Sequence, residues 1–434
     1  MRRVLSIILF FSLVNFSSPE KLDKKKPLPV LKGEIPAIAM AKTAAELKSY
    51  FDAAFLDATT GSNSNEQNIN PIFGSTTNGD AQQYYRLADW LNAMIYVWQA
   101  TGEILYFNYA KTMIDNMISN AVLLAGGTNA GFMGWPSAAS YGAVRSVDGT
   151  NLWEIYSFRH VAYLLAILKD SPNFVSTQGL STWYTDTLNF LEVNIAQKWR
   201  ENNINAHVYR SNLHLASHNM VIYFFLDYLT DNSDPIYREI WQNIAYAGMP
   251  NYPAPQNNIQ YLLRGNADSK PALNLTDNLA WYQNWQGTNT QKHDVNHAGD
   301  TVNNFYKLFL YNAHFTVADM NGIAQGMLDN VWVSYTSWTI NEFVDGSGAT
   351  QNLNQQGAQE YFVCGQFNET LQSNMEDNVQ SEMSHFSFAG YLLYNRKIMN
   401  DASLFYPEPQ SSLVFFDSGL KFKKKAAAAA LSAN

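Results

Sequence analysis

The sequence predicts an all-α protein, an (α/α) toroid or barrel of about six or seven helical hairpins. Three observations carry this. Apolar residues recur at helical spacing, with no sustained strand alternation and no turn dipeptide between β-branched runs. Five segments share one layout, polar or charged at the start and almost wholly apolar towards the end. Hydrophobic residues are 47% of 434, enough to bury a large core.

The elements follow in chain order. "MRRVLSIILFFSLVNFSS" (1–18) has two arginines and then an apolar run too short to span a membrane, the pattern of an export signal. Positions 19–40, with "KLDKKKPLPVLKGEIP", read as a charged linker. A single domain is expected over 41–410. The five repeated segments are 84–98, 152–168, 211–229, 296–311 and 381–394. After the first four come ordinary amphipathic stretches, at 105–123, 182–199, 236–247 and 315–332. A further helix at 43–58 raises the hairpin count. Long segments such as "AGGTNAGFMGWPSAASYGAVRSVDGT" and "FVDGSGATQNLNQQGAQEY" read as loops walling a cleft. The tail, 411–434, ends in the low-complexity "KFKKKAAAAALSAN" and is set aside from the fold. The lone Cys364 allows no internal disulfide. Export without disulfides suits a secreted or periplasmic protein, with no membrane span once the signal is removed.

A helix that is apolar on all sides is buried all round. A helix polar only in its first turn presents that turn to a cavity. Five such helices, ringed by half-exposed partners, would therefore direct their first turns into one shared cleft.

Composition limits what enters that cleft. The net charge of −9 argues against nucleic acid, which needs a basic face. An anionic substrate would need a local cationic pocket. Charged residues are only 15%, against roughly 25% in ordinary domains, while 11 Trp, 25 Tyr and 25 Phe accompany many neutral amides. Neutral amides and flat rings suit carbohydrate, and they also suit a protein adapted to extracellular water.

The stretch "KHDVNHAGDTVNNFY" (292–306) places His293 and His297 four apart. The zinc motif H-E-x-x-H is superficially similar. Here Asp294 replaces the glutamate, one methylene short, and no third ligand is near. Gly299 also costs about 1 kcal/mol in a helix interior. No metal and no cofactor is called for. Asp294 or Asn296 reads instead as an N-cap. His297 then sits in the first turn at the positive end of the dipole, which disfavours imidazolium and leaves a neutral base. The plain alternative is a cap that bonds a neighbouring loop. Other helix starts add Tyr84 and Arg86, then Glu154, Arg159 and His160, then His218 and Asn219, then His385.

Two reaction classes fit such a set. β-Elimination on a uronate polysaccharide needs groups to neutralise the sugar carboxylate, a base for the C5 proton and an acid for the leaving oxygen. Glycoside hydrolysis needs two carboxylic acids flanking the bond. Glu154, Asp294, Asp300, Asp89 and Glu360 are available, with no diagnostic spacing. A non-catalytic glycan-binding toroid would need only the aromatic cleft.

The helical ring, the export signal, "SHN" at His218 and Asn219, and "NHAGDTVNNFY" ending in Tyr306 resemble the toroid polysaccharide lyases. These include chondroitin-type and alginate-type enzymes. In size and helical pattern the chain is most similar to polysaccharide lyase family 38, the glucuronan and alginate lyases. The resemblance implies an anionic polysaccharide as partner and an Asn/His/Tyr/Arg catalytic set. In this chain that set is His297, His218, Asn219 and Tyr306. Asn219 would neutralise the carboxylate and His218 serve as a base. Arg86, Tyr84, Glu154, Arg159, His160, Trp285, His293, Asp294 and Tyr361 would bind substrate. Arg159 and Arg86 have a plainer reading, as structural partners of Glu154 or Asp89. One departure stands out. His297 and Tyr306 are nine apart, on opposite sides of a continuous helix. Unless the helix is interrupted, the tyrosine comes from elsewhere: Tyr282, Tyr361 or Tyr84.

Overall fold

A computed structural model describes residues 42–60, 81–135, 151–254, 257–264, 292–333, 339–352, 358–379, 386–401, 414–416 and 422–424. The chain separates into Met1–Ile38 and Ala39–Asn434. The first unit lies outside the described residues, as do the export signal and the whole of the linker expected over 19–40.

The described residues are mostly helical, so the protein is all-α. Five helices carry the repeated polar-to-apolar layout: α2 (Ala81–Thr101), α4 (Leu152–Lys169), α8 (Leu213–Leu229), α11 (Val295–Leu310) and α14 (Phe386–Asp401). In α4 every residue over 153–168 is buried, and in α11 every residue over 298–310. That is the all-round burial their sequences demand. The partners are half-buried. α3 (Ile104–Ser119) hides Tyr106, Phe107, Ala110, Met113, Ile114 and Met117, a single helical stripe. α6 (Ser181–Phe190), α9 (Pro235–Gln242) and α12 (Val317–Gly326) each run on into a π-helical turn. α1 (Ala44–Thr60), α5 (Pro172–Thr177), α7 (Lys198–His207), α10 (Ile259–Arg264) and α13 (Glu369–Asn378) are the other α-helices among the described residues.

Capping marks the starts. Asp294 caps α11 by accepting from the His297 N–H, Asp234 caps α9 ahead of Pro235, and Thr316 with Asp319 forms a capping box on α12. Of the two caps the sequence allowed for α11, Asp294 is the one used. Each inner element packs on the next. α2 lies against α4, α4 against α8 and α8 against α11. α11 lies against a 3₁₀ segment (Ala358–Phe367), which meets α14, and α14 returns to α2.

Three segments depart from expectation. The stretch read as the loop "FVDGSGATQNLNQQGAQEY" contains strand Thr350–Asn352, paired antiparallel with Thr339–Asn341. Gly346 and Gly348, at φ 84° and 91°, make that turn possible. The same stretch leads into the 3₁₀ segment, in which every residue is buried. Its period of three gives no amphipathic stripe, so the sequence pattern was blind to it. In the tail, set aside as low-complexity, Phe422–Lys424 pairs with Val414–Phe416. Gly299 also acquires a reason. A Cβ there would lie 3.1 Å from the Tyr361 backbone nitrogen and 3.3 Å from the Ala358 carbonyl oxygen. The glycine lets α11 press against the 3₁₀ segment without breaking the helix.

Candidate functional site

Three buried helices each carry a polar stripe at helical spacing. On α4 it is Tyr156, Arg159 and His160; on α8, His214, Ser217 and His218; on α11, His297, Asp300, Asn304 and Lys307. Residues three, four or seven apart share a face, and the contacts between these helices bring the three faces together.

Arg159 is the hub. Nη2 lies 2.7 Å from Glu360 Oε1 and 3.5 Å from Asp300 Oδ1. Nη1 donates to the Asp300 carbonyl at 3.1 Å and to Asn304 Oδ1 at 3.0 Å, and Nε donates to the Tyr156 carbonyl at 3.0 Å. The guanidinium also sits 4.5 Å over the Tyr156 ring. All of this is fully buried, so Arg159 is committed within the protein.

Around it stand Asp89, Asp300 and Glu360, with one oxygen of each within 4.8 Å of the others. The Tyr156 hydroxyl bridges two of them, donating to Asp300 at 2.8 Å and lying 3.3 Å from Asp89. Gln359 Nε2 donates to Asp89. Burial raises all three carboxyl groups above their ordinary values, Asp300 to about 7, and repulsion from the neighbouring carboxylates adds to the rise of Asp89 and Asp300.

The histidines are tied into the same network. Because Arg159 can only donate, Asn304 must turn its oxygen towards the guanidinium and its NH₂ away. Asn304 Nδ2 then donates to Ser217 and to His218 Nδ1, both at 2.9 Å. Burial, with Arg159 next, pushes the His218 pKa well down, so the ring is neutral. With Nδ1 accepting, the proton of His218 is on Nε2, an N–H with no hydrogen-bond acceptor, 4.0 Å from Asp300 Oδ2. In this tautomer His218 is a donor towards the carboxylates, and the expected role as base is replaced. His160 lies with Nδ1 2.6 Å from Lys307 Nζ and Nε2 3.3 Å from Glu360 Oε1.

His297 is different. Its Nδ1 lies 2.9 and 2.8 Å from the two Asp294 oxygens, its ring stacks 4.2 Å from His214, and a third of its side chain is exposed. Burial opposes a charged ring, but the Asp294 bond and charge outweigh it and raise the pKa. The expected depression by the helix dipole is therefore overridden by the capping carboxylate itself. With Nδ1–H held by Asp294, Nε2 carries the lone pair, as a general base requires. His293 is fully buried one turn away, its pKa pushed by burial to about 3.

Other expected site residues lie elsewhere. Asn219 donates only to the His207, Val208 and Leu215 carbonyls, a backbone tie. Tyr306 is fully buried, with its hydroxyl on Gln366 and Tyr394 and its ring beside Tyr96, because α11 runs unbroken through Gly299. Glu154 takes Lys198 at 2.8 Å and Trp199 Nε1 at 2.5 Å. Tyr361 is fully buried, and burial raises its pKa. Tyr84 and Arg86 fall in the first turns of α2, where only the backbone is described. Trp285, Tyr282 and His385 lie outside the described residues.

Tyr156, His214, Asn304 and Lys307 were not singled out from the sequence. Their signal was there: polar residues three, four or seven apart inside otherwise apolar helices.

The chain matches no family model, no curated protein and no solved structure.

Proposed function

We propose that this protein is an exported lyase that cleaves a uronic-acid polysaccharide of the alginate or glucuronan type by β-elimination. The carrying observation is the His297–Asp294 pair: a partly exposed imidazole, oriented at Nδ1, beside a buried polar cluster. His297 Nε2 takes the C5 proton. The electrons of that C–H bond form the C4–C5 double bond and the C4–O bond breaks. The leaving oxygen takes the proton of Tyr156, the hydroxyl held between Asp300 and Asp89. Neutral His218 contributes its Nε2–H as a donor. Arg159 is a positioning residue, since its guanidinium is already occupied.

The (α/α) toroid belongs to the same reading. It is supported by the succession of inner elements, each against the next and the last against the first.

Glycoside hydrolysis is the second reading, and a specific observation favours a different carboxylate pair for it. Glu154 and Asp294 are bound to Lys198 and His297. Asp89 and Asp300 each offer an oxygen within 4.8 Å of the other, no wider than the roughly 5 Å separation of retaining enzymes.

The test is ultraviolet absorbance and reducing-end release, followed together on polymannuronate, polyguluronate and glucuronan. Both signals rising, with a loss of about 10²–10⁴-fold in His297→Ala, is the expected result. Reducing ends without absorbance would replace elimination by hydrolysis. Binding without either signal would make the protein a glycan-binding toroid.

A further inference from the structure

Three carboxyl groups, Asp89, Asp300 and Glu360, converge on the Arg159 guanidinium in the interior, with the buried Lys307 acting on Glu360 and Asp300 from beyond His160. Two further atoms there have no donor or acceptor group opposite them. Glu360 Oε2 is fully buried and accepts from no N–H or hydroxyl, although its sister oxygen accepts from Arg159 and the Glu360 carboxyl meets that of Asp89. His218 Nε2, equally buried, points a proton at Asp300 across 4.0 Å, too far for a direct bond.

The occupant that answers these observations must carry positive charge, accept carboxylate lone pairs and bring an oxygen to receive the imidazole N–H. A proton shared by the carboxyl groups leaves the imidazole N–H without an acceptor, and a water molecule alone does not hold three carboxylates together. A divalent cation with its own water meets all three.

We propose that Asp89, Asp300 and Glu360 form a binding site for a hard divalent cation. Oxygen-only ligands select magnesium, calcium or manganese over zinc or copper. Oε2 of Glu360 supplies one ligand, and Asp89 and Asp300 supply the others. A water on the ion accepts from His218. Asp89 is only partly buried and gives the ion its way in. Arg159 and Tyr156 then act behind the ligands, holding the Glu360 and Asp300 carboxylates in place. The cation links α2, α11 and the 3₁₀ segment at one point.

The experiment uses the full chain stripped with EDTA and titrated with manganese, followed by electron paramagnetic resonance. Magnesium and calcium serve as competitors, and calorimetry gives the stoichiometry. The expected result is one ion per chain, displaced by the competitor of the fitting size, with affinity weakened at least about tenfold in Asp89→Asn. Glu360→Gln is the second variant, with helical circular dichroism checking that each is folded. Absence of saturable manganese binding by the wild type would overturn the proposal, as would undiminished binding in folded Asp89→Asn. Binding is read without any polysaccharide, so this site stands or falls separately from the lyase reading.

Discussion

Asp294 holds His297 at two points. It accepts the His297 backbone N–H at 3.1 Å, capping α11, and it meets the ring Nδ1 at 2.8 Å. One carboxylate thus starts the helix and orients the ring. Asp294→Asn removes the charge that raises the His297 pKa. The rate needs neutral His297, so activity rises with pH through that pKa. The variant's acid limb should move to lower pH, and its maximum should fall by part of the 10²–10⁴-fold expected for losing a general base. A pH–rate profile checks both. An unmoved limb would remove His297 as the titrating base.

The same pair leaves a mark on stability. The His297 pKa is raised, so its contribution is complete below its ordinary 6.5 and is lost as pH rises through the folded value. The Asp294 pKa is lowered, so its contribution is present above the ordinary 3.8 and is lost as pH falls through the folded value. Urea midpoints of wild type and His297→Ala should differ most between these two ordinary values and converge towards alkaline pH.

Arg159→Met should destabilise by about 3–5 kcal/mol, because it leaves Glu360 and Asp300 buried without their counter-charge. Adding Glu360→Gln should recover part of that loss, so the double variant is less impaired than the sum of the singles. Chemical denaturation measures the cycle. Strict additivity would mean that the two residues are not coupled.

Tyr306→Phe removes hydrogen bonds to Gln366 and Tyr394 only. It should cost about 0.5–1.5 kcal/mol and leave kcat unchanged. A fall of about 10²-fold in kcat at full stability would return Tyr306 to the reaction.

Gly299→Ala sets two effects against each other. Alanine improves helix propensity by about 1 kcal/mol. Its methyl would meet backbone atoms of the 3₁₀ segment at 3.1 and 3.3 Å, where nothing flexible can give way. The net expectation is destabilisation by about 1–3 kcal/mol, read as a lower thermal midpoint.

The positions of the buried helices were legible because apolar periodicity is a local property. The expected stretches 152–168, 211–229 and 296–311 lie within a residue or two of α4, α8 and α11. The separation of His297 from Tyr306 was legible too, since nine residues on an unbroken helix are half a turn out of phase. The polar face of α11 could have been read from the same wheel, with His297, Asp300, Asn304 and Lys307 on one side.

What the sequence by itself determined, then, is which segments are helices, which are buried all round, and which polar residues share a face. Only the tertiary structure decided which faces meet. Gln359 reaches Asp89 across 270 positions, and Arg159 reaches Glu360 across 201. Nothing local encodes those pairings. They follow from α2, α4 and the 3₁₀ segment meeting at one place, where burial strips water from the carboxylates. That loss of water raises the pKa values of the buried carboxyl groups and strengthens the pairing of Arg159 with Glu360. It also leaves Asp294, nearer the surface, to set the pKa of His297.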